Sequence, residues 1–273
     1  MIVDGKKLAD QVELDLTKAI DQFVDQGITP GLGIILVGDN PMSIKYAGFK
    51  KALGESIKAH VEVVRLPADT DFASVANVIQ KFNQRGDIHG MIVQLPLPKP
   101  LDERREEILG LIDPNKDVDA LTKAAKVLSP VVAAVKLILD QAGLVGGLAG
   151  KRALVIGRGQ LVGQPAAAWL EALGVKVTMI GSKTLEAERL ELLGNADIVV
   201  AGAGIPGFIK PDQVKDGVIL IDASTSDVSG KTVGDIDPAC AAKASLYTPV
   251  PGGVGPLTVV MLFSNLLELV QKK

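Results

Sequence analysis

Short apolar runs alternate with amphipathic segments along this chain, and this alternation limits the folds that are open to it. In the first half, residues 31–38, 61–67 and 89–98 are such runs. In residues 6–26, apolar side chains recur at a spacing of three or four, which places them on one face of a helix. Strands and helices that alternate in this way predict βαβ units, and hence a parallel sheet with helices on both faces.

A second cycle of the same kind begins after Asp113-Pro114. Its predicted strands are residues 152–157, 175–180, 196–204 and 218–224. The other predicted helices are 43–53 with Ser43 as N-cap, 72–84, 103–112, 130–142, 164–173 and 258–270. We therefore predict two α/β domains that flank a cleft. The first comprises residues 1–119 and 259–273, and the second, residues 120–258, has a Rossmann-like parallel sheet.

Composition limits the partners of this chain. The formal net charge is −3 and 3% of the residues are aromatic, whereas non-specific nucleic-acid binders need a basic surface and stacking rings. No uninterrupted apolar run approaches 18 residues, and the first residues carry charges, so we expect no membrane span or secretion signal. One cysteine and two histidines are too few for a structural zinc site. We expect a cytoplasmic protein without a metal.

A glycine-rich turn follows the predicted strand 152–157. Gly157, Gly159 and Gly163 are spaced G-x-G-x-x-x-G, one residue longer than the usual dinucleotide fingerprint, and a helical pattern begins at Gln164. Glycines at such a turn let the backbone approach a pyrophosphate, which rests on the N-terminus of the helix. The flanking strand and helix favour dinucleotide binding, and an ordinary βα turn is the alternative.

The end of the next strand distinguishes between dinucleotides. NAD sites usually place an acidic residue there to bind the ribose 2′-hydroxyl, but this strand ends in Ile180-Gly181-Ser182-Lys183-Thr184. A hydroxyl and a cation suit a 2′-phosphate, and Arg158 is a second candidate cation. The residues therefore favour NADP over NAD, although Ser182 and Lys183 also suit a solvated turn.

Several polar residues of the first half are candidates for a site. Tyr46 and Lys50 are four residues apart, so they share a helix face. Gln94 follows a buried strand, where open α/β sheets place ligands. Asp117 and Asp119 lie in the loop KDVDA. Each of them also has a structural explanation. The tyrosine could be a core ring, the lysine a solvated side chain, the glutamine an amide that binds loop backbone, and either aspartate a turn cap. Spacing alone does not join these residues into one site.

Residues 248–256, TPVPGGVGP, form a rigid loop with few side chains because they are rich in proline and glycine. Such a loop lets the backbone approach a flat ligand. A structural hinge between domains is the alternative explanation.

Five segments together resemble a known family. SIKYAGFK (43–50), VQLPLP (93–98), PNKDVDA (114–120), GRGQLVGQP (157–165) and TPVPGGVGPLT (248–258) occur in the order found in the methylenetetrahydrofolate dehydrogenase/cyclohydrolase family. The resemblance extends over nearly the whole chain. It implies NADP-dependent oxidation of 5,10-methylenetetrahydrofolate to the 5,10-methenyl cation, and hydrolysis of that cation to 10-formyltetrahydrofolate. It also implies a homodimer, no metal, and a place in one-carbon metabolism and purine biosynthesis.

The resemblance assigns roles to the candidates of the first half. Lys50 matches the family's catalytic lysine, and Gln94 matches the glutamine that hydrogen-bonds the lysine and tunes it. Tyr46 matches the tyrosine that packs on the folate, and Asp119 matches the aspartate that anchors the pterin. Because the methenyl product is a cation, we expect the pKa of Lys50 to be lowered.

Further roles fall on the second half. Arg158 and Ser182 match positions that hold the NADP 2′-phosphate, which agrees with the preference for NADP over NAD that these residues indicate by themselves. Pro251, Gly252 and Gly253 would border the folate and the nicotinamide.

The chain also departs from the family pattern. Ala120 replaces a glycine, the segment 120–129 is shortened, Gly159 replaces a serine, and Ala223-Ser224-Thr225 replaces a G-I-N-type loop. Three hypotheses therefore remain: a bifunctional enzyme, a dehydrogenase without cyclohydrolase activity, and a non-catalytic nucleotide- or folate-binding protein.

Overall fold

Two parallel sheets organise the chain, and in the computed structural model, which describes residues 1–272, each sheet belongs to its own unit. The N-terminal unit comprises Asp10–Pro130 and the described residues from Val259 onward. The C-terminal unit comprises Met1–Ala9 and Val131–Thr258. The predicted class, two α/β domains with parallel sheets, is confirmed.

The N-terminal unit is built around a three-stranded sheet in the order β2-β1-β3, with all strands parallel. It contains α1 (Gly5–Asp25) from Asp10 onward. Its other elements are β1 (Gly31–Val37), α2 (Pro41–Ser56), β2 (His60–Leu66), α3 (Phe72–Gln84), β3 (Gly90–Val93) and α4 (Arg105–Leu109). The central strand β1 is apolar and buried along its whole length, as expected for a strand covered on both faces. Gly33 makes room for α3, because a Cβ there would lie 2.5 Å from the Phe82 ring.

The C-terminal unit has a five-stranded parallel sheet in the order β10-β7-β6-β4-β5. Its elements are α5 (Pro130–Gln141), β4 (Arg152–Ile156), α6 (Gly163–Ala172), β5 (Lys176–Ile180), α7 (Glu186–Asn195), β6 (Ile198–Ala201), β7 (Val218–Asp222), β8 (Ser226–Val228), β9 (Lys231–Val233) and β10 (Ala244–Tyr247). The strands β8 and β9 form an antiparallel hairpin. The strand order changes direction at β4, and open α/β sheets bind ligands at such a switch point.

The last helix, α8 (Val254–Gln271), begins in the C-terminal unit and continues in the other. By length and composition this helix could cross a membrane, but most of it is buried inside the protein. Phe263 and Leu266 are completely buried in it, so core packing accounts for its apolar character.

Two local predictions were wrong. Helix α2 begins at Pro41 rather than at Ser43, and Asn40 is its N-cap, with its side chain accepting hydrogen bonds from the Met42 and Ser43 N–H groups. Asparagine is favoured as an N-cap and proline at the first helical position. The strand predicted over 89–98 ends at Val93, because the prolines that follow cannot donate to a sheet ladder.

The two units differ from the predicted domains, 1–119 with 259–273 and 120–258, in two segments. Residues 1–9 lie in the C-terminal unit, where the Val3 N–H donates to the Tyr247 carbonyl at 2.9 Å. Residues 120–130 lie in the N-terminal unit, where Asn265 Nδ2 donates to the Leu128 carbonyl at 2.8 Å.

Candidate functional site

Lys50 and Gln94 meet at the carboxyl end of the N-terminal sheet. Gln94 follows β3, and its backbone N–H donates to the Ile35 carbonyl of β1 at 2.9 Å, which fixes the residue beside the sheet. Lys50 lies on α2, and its Nζ donates to Gln94 Oε1 at 2.8 Å. Gln94 Nε2 donates to the Leu95 carbonyl at 2.9 Å. The amide is therefore held with its oxygen towards the lysine.

The surroundings of Lys50 and Asp119 disfavour charge on both groups. Burial lowers the pKa of Lys50, and the negative charge of Asp119 partly opposes that shift. Burial raises the pKa of Asp119, with Lys50 opposing the shift and the nearby Asp117 carboxylate adding to it. A lowered pKa favours the uncharged form of the lysine, which can accept a proton.

The loop that carries Asp119 is fixed by its neighbour Asp117. The backbone of Asp117 pairs with Met91 in a parallel bridge. Its buried carboxylate accepts hydrogen bonds from the N–H groups of Leu121 at 3.2 Å and Thr122 at 2.7 Å. Asp117 is thus the aspartate that caps the turn, and Asp119 is the one that acts on Lys50.

Two residues that sequence reasoning missed support the same loop. The buried Lys116 donates from Nζ to the carbonyls of Phe82 at 2.8 Å and Arg85 at 2.6 Å, at the end of α3. Asn265 of α8 donates to the Val118 carbonyl at 2.8 Å. The lysine is visible in the KDVD motif, whereas the only signal for Asn265 is an amide within an apolar helix.

Tyr46 lies one helical turn before Lys50 on α2 and is half-buried. Its ring meets the Phe49 ring edge-on, with centroids 6.2 Å apart and an interplanar angle of 85°. Phe49 is 50% exposed. The helix face that carries Lys50 therefore also presents an aromatic surface, which suits a flat ligand.

In the C-terminal unit, the glycine turn connects β4 to α6 as predicted. Gly157 has φ +106°, and a Cβ at this position would lie 2.5 Å from the Gly202 carbonyl oxygen. A Cβ on Gly163 would lie 1.9 Å from the Gly157 carbonyl oxygen, whereas the space at Gly159 is open. Two glycines therefore permit close packing of the turn, and the third leaves the backbone accessible. The N-cap, Val162, makes no side-chain cap hydrogen bond, and the N-terminus of a helix suits an anion. The Gln164 N–H, however, already donates to the Gly159 carbonyl at 3.0 Å.

Arg158, Ser182 and Lys183 are exposed beside this turn. Arg158 Nη2 donates to the Met179 carbonyl at 2.9 Å. A Cβ on Gly181 would lie 3.4 Å from Arg158 Nε, so the guanidinium side chain runs along the residue that precedes Ser182. The structure thus brings together the arginine and the serine that the sequence separates, and a phosphate needs such a combination of a cation and a hydroxyl.

The proline–glycine loop serves the packing of its own unit in part. Pro251 is exposed, Gly252 has φ +105° with open space where a Cβ would be, and Gly253 is buried. A Cβ on Gly253 would lie 2.6 Å from the Pro249 carbonyl oxygen. The Gly5 N–H donates to the Gly252 carbonyl at 2.8 Å. Open space for a ligand therefore remains at Pro251 and Gly252, whereas Gly253 permits close packing of the chain.

Comparison with known proteins gives a consistent result for both halves of the chain. Residues 3–119 match the family model described as tetrahydrofolate dehydrogenase/cyclohydrolase, catalytic domain. Residues 129–273 match the model described as tetrahydrofolate dehydrogenase/cyclohydrolase, NAD(P)-binding domain.

Individual relatives are similar over their full lengths. The chain is 36% identical to "Bifunctional protein FolD" of Geotalea uraniireducens, with 100% of this chain and 99% of that protein covered. It is 31% identical to the structure of the bifunctional enzyme FolD, methylenetetrahydrofolate dehydrogenase/cyclohydrolase, from Campylobacter jejuni, with a TM-score of 0.93 and coverage of 100% and 99%. The Trypanosoma brucei enzyme, solved with NADP cofactor and inhibitor, is 30% identical, with a TM-score of 0.93 and coverage of 100% and 97%.

Proposed function

Since this chain belongs to the tetrahydrofolate dehydrogenase/cyclohydrolase family, we propose that it oxidises 5,10-methylenetetrahydrofolate with NADP and hydrolyses the resulting 5,10-methenyl cation to 10-formyltetrahydrofolate. The resemblance inferred from the sequence is thereby confirmed. The observation that carries the proposal is the 2.8 Å contact between Lys50 Nζ and Gln94 Oε1, in surroundings that lower the pKa of the lysine.

In the hydrolytic step, uncharged Lys50 acts as the base. Water adds through its oxygen to the methenyl carbon, and the proton that it loses goes to Lys50 Nζ. The hydroxyl of this adduct then loses its proton and its oxygen forms the formyl C=O as the bond between that carbon and N5 breaks. The electron pair of that bond stays on N5, and the formyl group remains on N10. One proton of the water ends on N5, and the other is released to solvent.

The neighbours of Lys50 prepare it for this role. Burial lowers the pKa of Lys50, which favours its uncharged form and reduces repulsion with the cationic substrate. Gln94 Oε1 accepts a hydrogen bond from Nζ at 2.8 Å, and that bond strengthens when Nζ takes up the proton. We propose that Asp119 anchors the pterin ring and that Tyr46 packs on the folate, as the family pattern implies.

The C-terminal unit has residues that fit NADP, which supplies the acceptor for the hydride that leaves the methylene carbon. Its glycine turn leaves Gly159 open, and the N-terminus of α6 follows. We propose that the pyrophosphate binds at Gly157, Gly159 and Gly163, and the 2′-phosphate at Arg158, Ser182 and Lys183. We propose Pro251, Gly252 and Gly253 as further substrate contacts, on the basis of the family pattern.

The backbone at Ala120 favours the bifunctional enzyme over a dehydrogenase without cyclohydrolase activity. Ala120 stands where the family has glycine, and it has φ +54°, in the left-handed region that favours glycine. The alanine thus keeps a glycine-type conformation, and the loop that carries Asp119 is hydrogen-bonded on both sides. The retained contact between Lys50 and Gln94 also argues against a non-catalytic binding protein.

We further propose that the protein is a cytoplasmic homodimer that supplies one-carbon units to purine biosynthesis. The family pattern supports this proposal. Sedimentation equilibrium of the purified protein tests the dimer, which has twice the chain mass of 28.5 kDa. A single species of 28.5 kDa at micromolar concentration would contradict it.

Lys50→Met tests the proposed function. The wild type should reduce NADP in the presence of 5,10-methylenetetrahydrofolate with little build-up of the methenyl product, at a pH where spontaneous hydrolysis is slow. In the variant, catalysed hydrolysis should fall by about 10²–10⁴-fold, the usual contribution of general acid–base catalysis. Lys51→Met is the matched control, since Lys51 is exposed and lies 3.7 Å from Glu55. Catalysed hydrolysis at the wild-type rate in Lys50→Met would remove the lysine from the mechanism.

A further inference from the structure

A buried aspartate in the C-terminal unit holds the loop that follows β6. Asp235 is completely buried, and its carboxylate accepts hydrogen bonds from three consecutive backbone N–H groups. Those of Ala203 and Gly204 donate to Oδ2 at 2.7 and 3.2 Å, and that of Ile205 donates to Oδ1 at 2.6 Å. Hydrogen bonds to a carboxylate are strong and directional, so Asp235 determines the conformation of residues 203–205.

Asp235 is itself tied to the end of β7. Its backbone N–H donates to Ser224 Oγ at 2.9 Å, and that hydroxyl donates to Asp222 Oδ1 at 2.9 Å. Asp222 Oδ2 accepts from the Ile236 N–H at 2.8 Å. All three polar side chains are buried, so this network links the ends of β6 and β7. Ser224 belongs to the segment in which this chain departs from the family pattern.

The loop held by Asp235 adjoins the glycine turn. A Cβ on Gly157 would lie 2.5 Å from the Gly202 carbonyl oxygen, so residue 202 touches the turn assigned to the pyrophosphate. Ile205 is 47% exposed at the same edge of the sheet.

The strand order indicates which half of the dinucleotide this loop serves. β5, whose end carries Ser182 and Lys183, lies on one side of β4, and β6 and β7 lie on the other. A dinucleotide spans such a switch point, with its two halves on opposite sides. The adenosine half with its 2′-phosphate belongs to the β5 side, so the nicotinamide half belongs to the side of β6 and β7.

We propose that Asp235, held by Ser224, is a positioning residue for the hydride-transfer step. It fixes residues 203–205, which border the nicotinamide half of NADP, and it contributes nothing to the adenosine half or to the hydrolytic step. The expected loss of dehydrogenase kcat rests on the proposed function. The expected loss of NADP affinity does not, because binding can be measured without turnover.

Asp235→Asn tests the proposal, because an amide nitrogen in place of one carboxylate oxygen cannot accept from the loop N–H groups. We expect the dehydrogenase kcat to fall about 10–100-fold, as for a displacement near 1 Å. Hydrolysis of added methenyltetrahydrofolate should stay within twofold of the wild type. The affinity for adenosine 2′,5′-bisphosphate should also be unchanged. The affinity for NADP should fall and approach the affinity for adenosine 2′,5′-bisphosphate, because the contacts to the nicotinamide half are lost. Asp227→Asn is the matched control, since Asp227 accepts from the Gly230 N–H in the exposed hairpin at 2.9 Å.

Ser224→Ala is the second variant, in case Asp235→Asn does not fold. It removes one neutral hydrogen-bonding group, so a loss of dehydrogenase kcat of about fivefold is expected, again without loss of hydrolysis. If the dehydrogenase kcat, the rate of hydrolysis and the affinity for adenosine 2′,5′-bisphosphate all fell by the same factor, the role of Asp235 would be merely structural and the proposal would be overturned. An unchanged dehydrogenase in folded Asp235→Asn would also overturn it. A wild type without NADP reduction would refute the proposed function, and the difference between the two ligand affinities would still decide the role of Asp235.

Discussion

Gln94→Ala is the substitution that most directly tests the arrangement around Lys50. The Gln94 amide accepts from Lys50 Nζ at 2.8 Å and donates to the Leu95 carbonyl at 2.9 Å, so alanine removes both contacts. The Leu95 carbonyl retains a second donor, because Ser43 Oγ lies 3.4 Å from it. The main loss is therefore the acceptor that faces the lysine.

The magnitude follows from the charge that develops on the lysine. Lys50 becomes an ammonium group as it takes the proton from water, and a hydrogen bond to a charged group is worth about 1.5–3 kcal/mol. Each 1.36 kcal/mol is a factor of ten in rate, so catalysed hydrolysis should fall roughly 10–150-fold. Loss of methenyl absorbance, corrected for spontaneous hydrolysis, measures this rate.

Gln84→Ala is the control for this experiment, since it makes the same chemical change at an exposed position at the end of α3. It should leave hydrolysis unchanged. If folded Gln94→Ala hydrolyses the methenyl cation within twofold of the wild-type rate, the contact with Lys50 has no part in the mechanism.

Three further predictions concern the pH profile, the cofactor and the loop. In the wild type, the rate of catalysed hydrolysis should rise with pH and level off below pH 10.5, the ordinary pKa of lysine, because burial lowers the pKa of Lys50. Asp119→Asn removes the negative charge that raises this pKa, so the rate of the variant should level off at a lower pH than that of the wild type. Arg158→Ala should raise the KM for NADP about 10–100-fold and leave that for NAD within about twofold, because the lost charge-assisted bond involves the 2′-phosphate alone. Ala120→Gly should raise the free energy of urea-induced unfolding by about 0.5–1 kcal/mol, because relief of the strain at positive φ outweighs the greater entropy of the unfolded glycine chain. Ala124 is not among the residues with positive φ, so Ala124→Gly should lower the free energy of unfolding.

The central strands could be predicted from the sequence because each is a continuous apolar run. β1 and β7 are buried at every position. β1 is apolar throughout, and β7 is apolar up to Asp222 at its end, so the apolar pattern of both strands is clear. The short strand β10 and the hairpin of β8 and β9 were not predicted, since three or four residues with exposed positions carry too weak a periodic signal. Helix α7 was missed as well, and its single buried residue, Leu193, explains why.

The site could be predicted in its parts but not as a whole. Helical spacing places Tyr46 and Lys50 on one face, and the strand end suggests Gln94. The contact between Lys50 and Gln94 joins residues 44 positions apart, so only the tertiary fold reveals it. Asp117 and Asp119 look alike in the sequence, and their roles separate only because the Asp117 carboxylate binds the turn that follows.

The hydrogen bond from Asn265 to the Val118 carbonyl has a consequence for biosynthesis. The two residues are 147 positions apart, and ribosomes add about 5–20 residues per second. Asn265 is therefore synthesised roughly 7–30 s after Val118, and until then the loop next to Asp119 lacks this hydrogen bond. A chain that stops short of residue 265 lacks this hydrogen bond, so we expect premature termination to leave the loop next to Asp119 less firmly held.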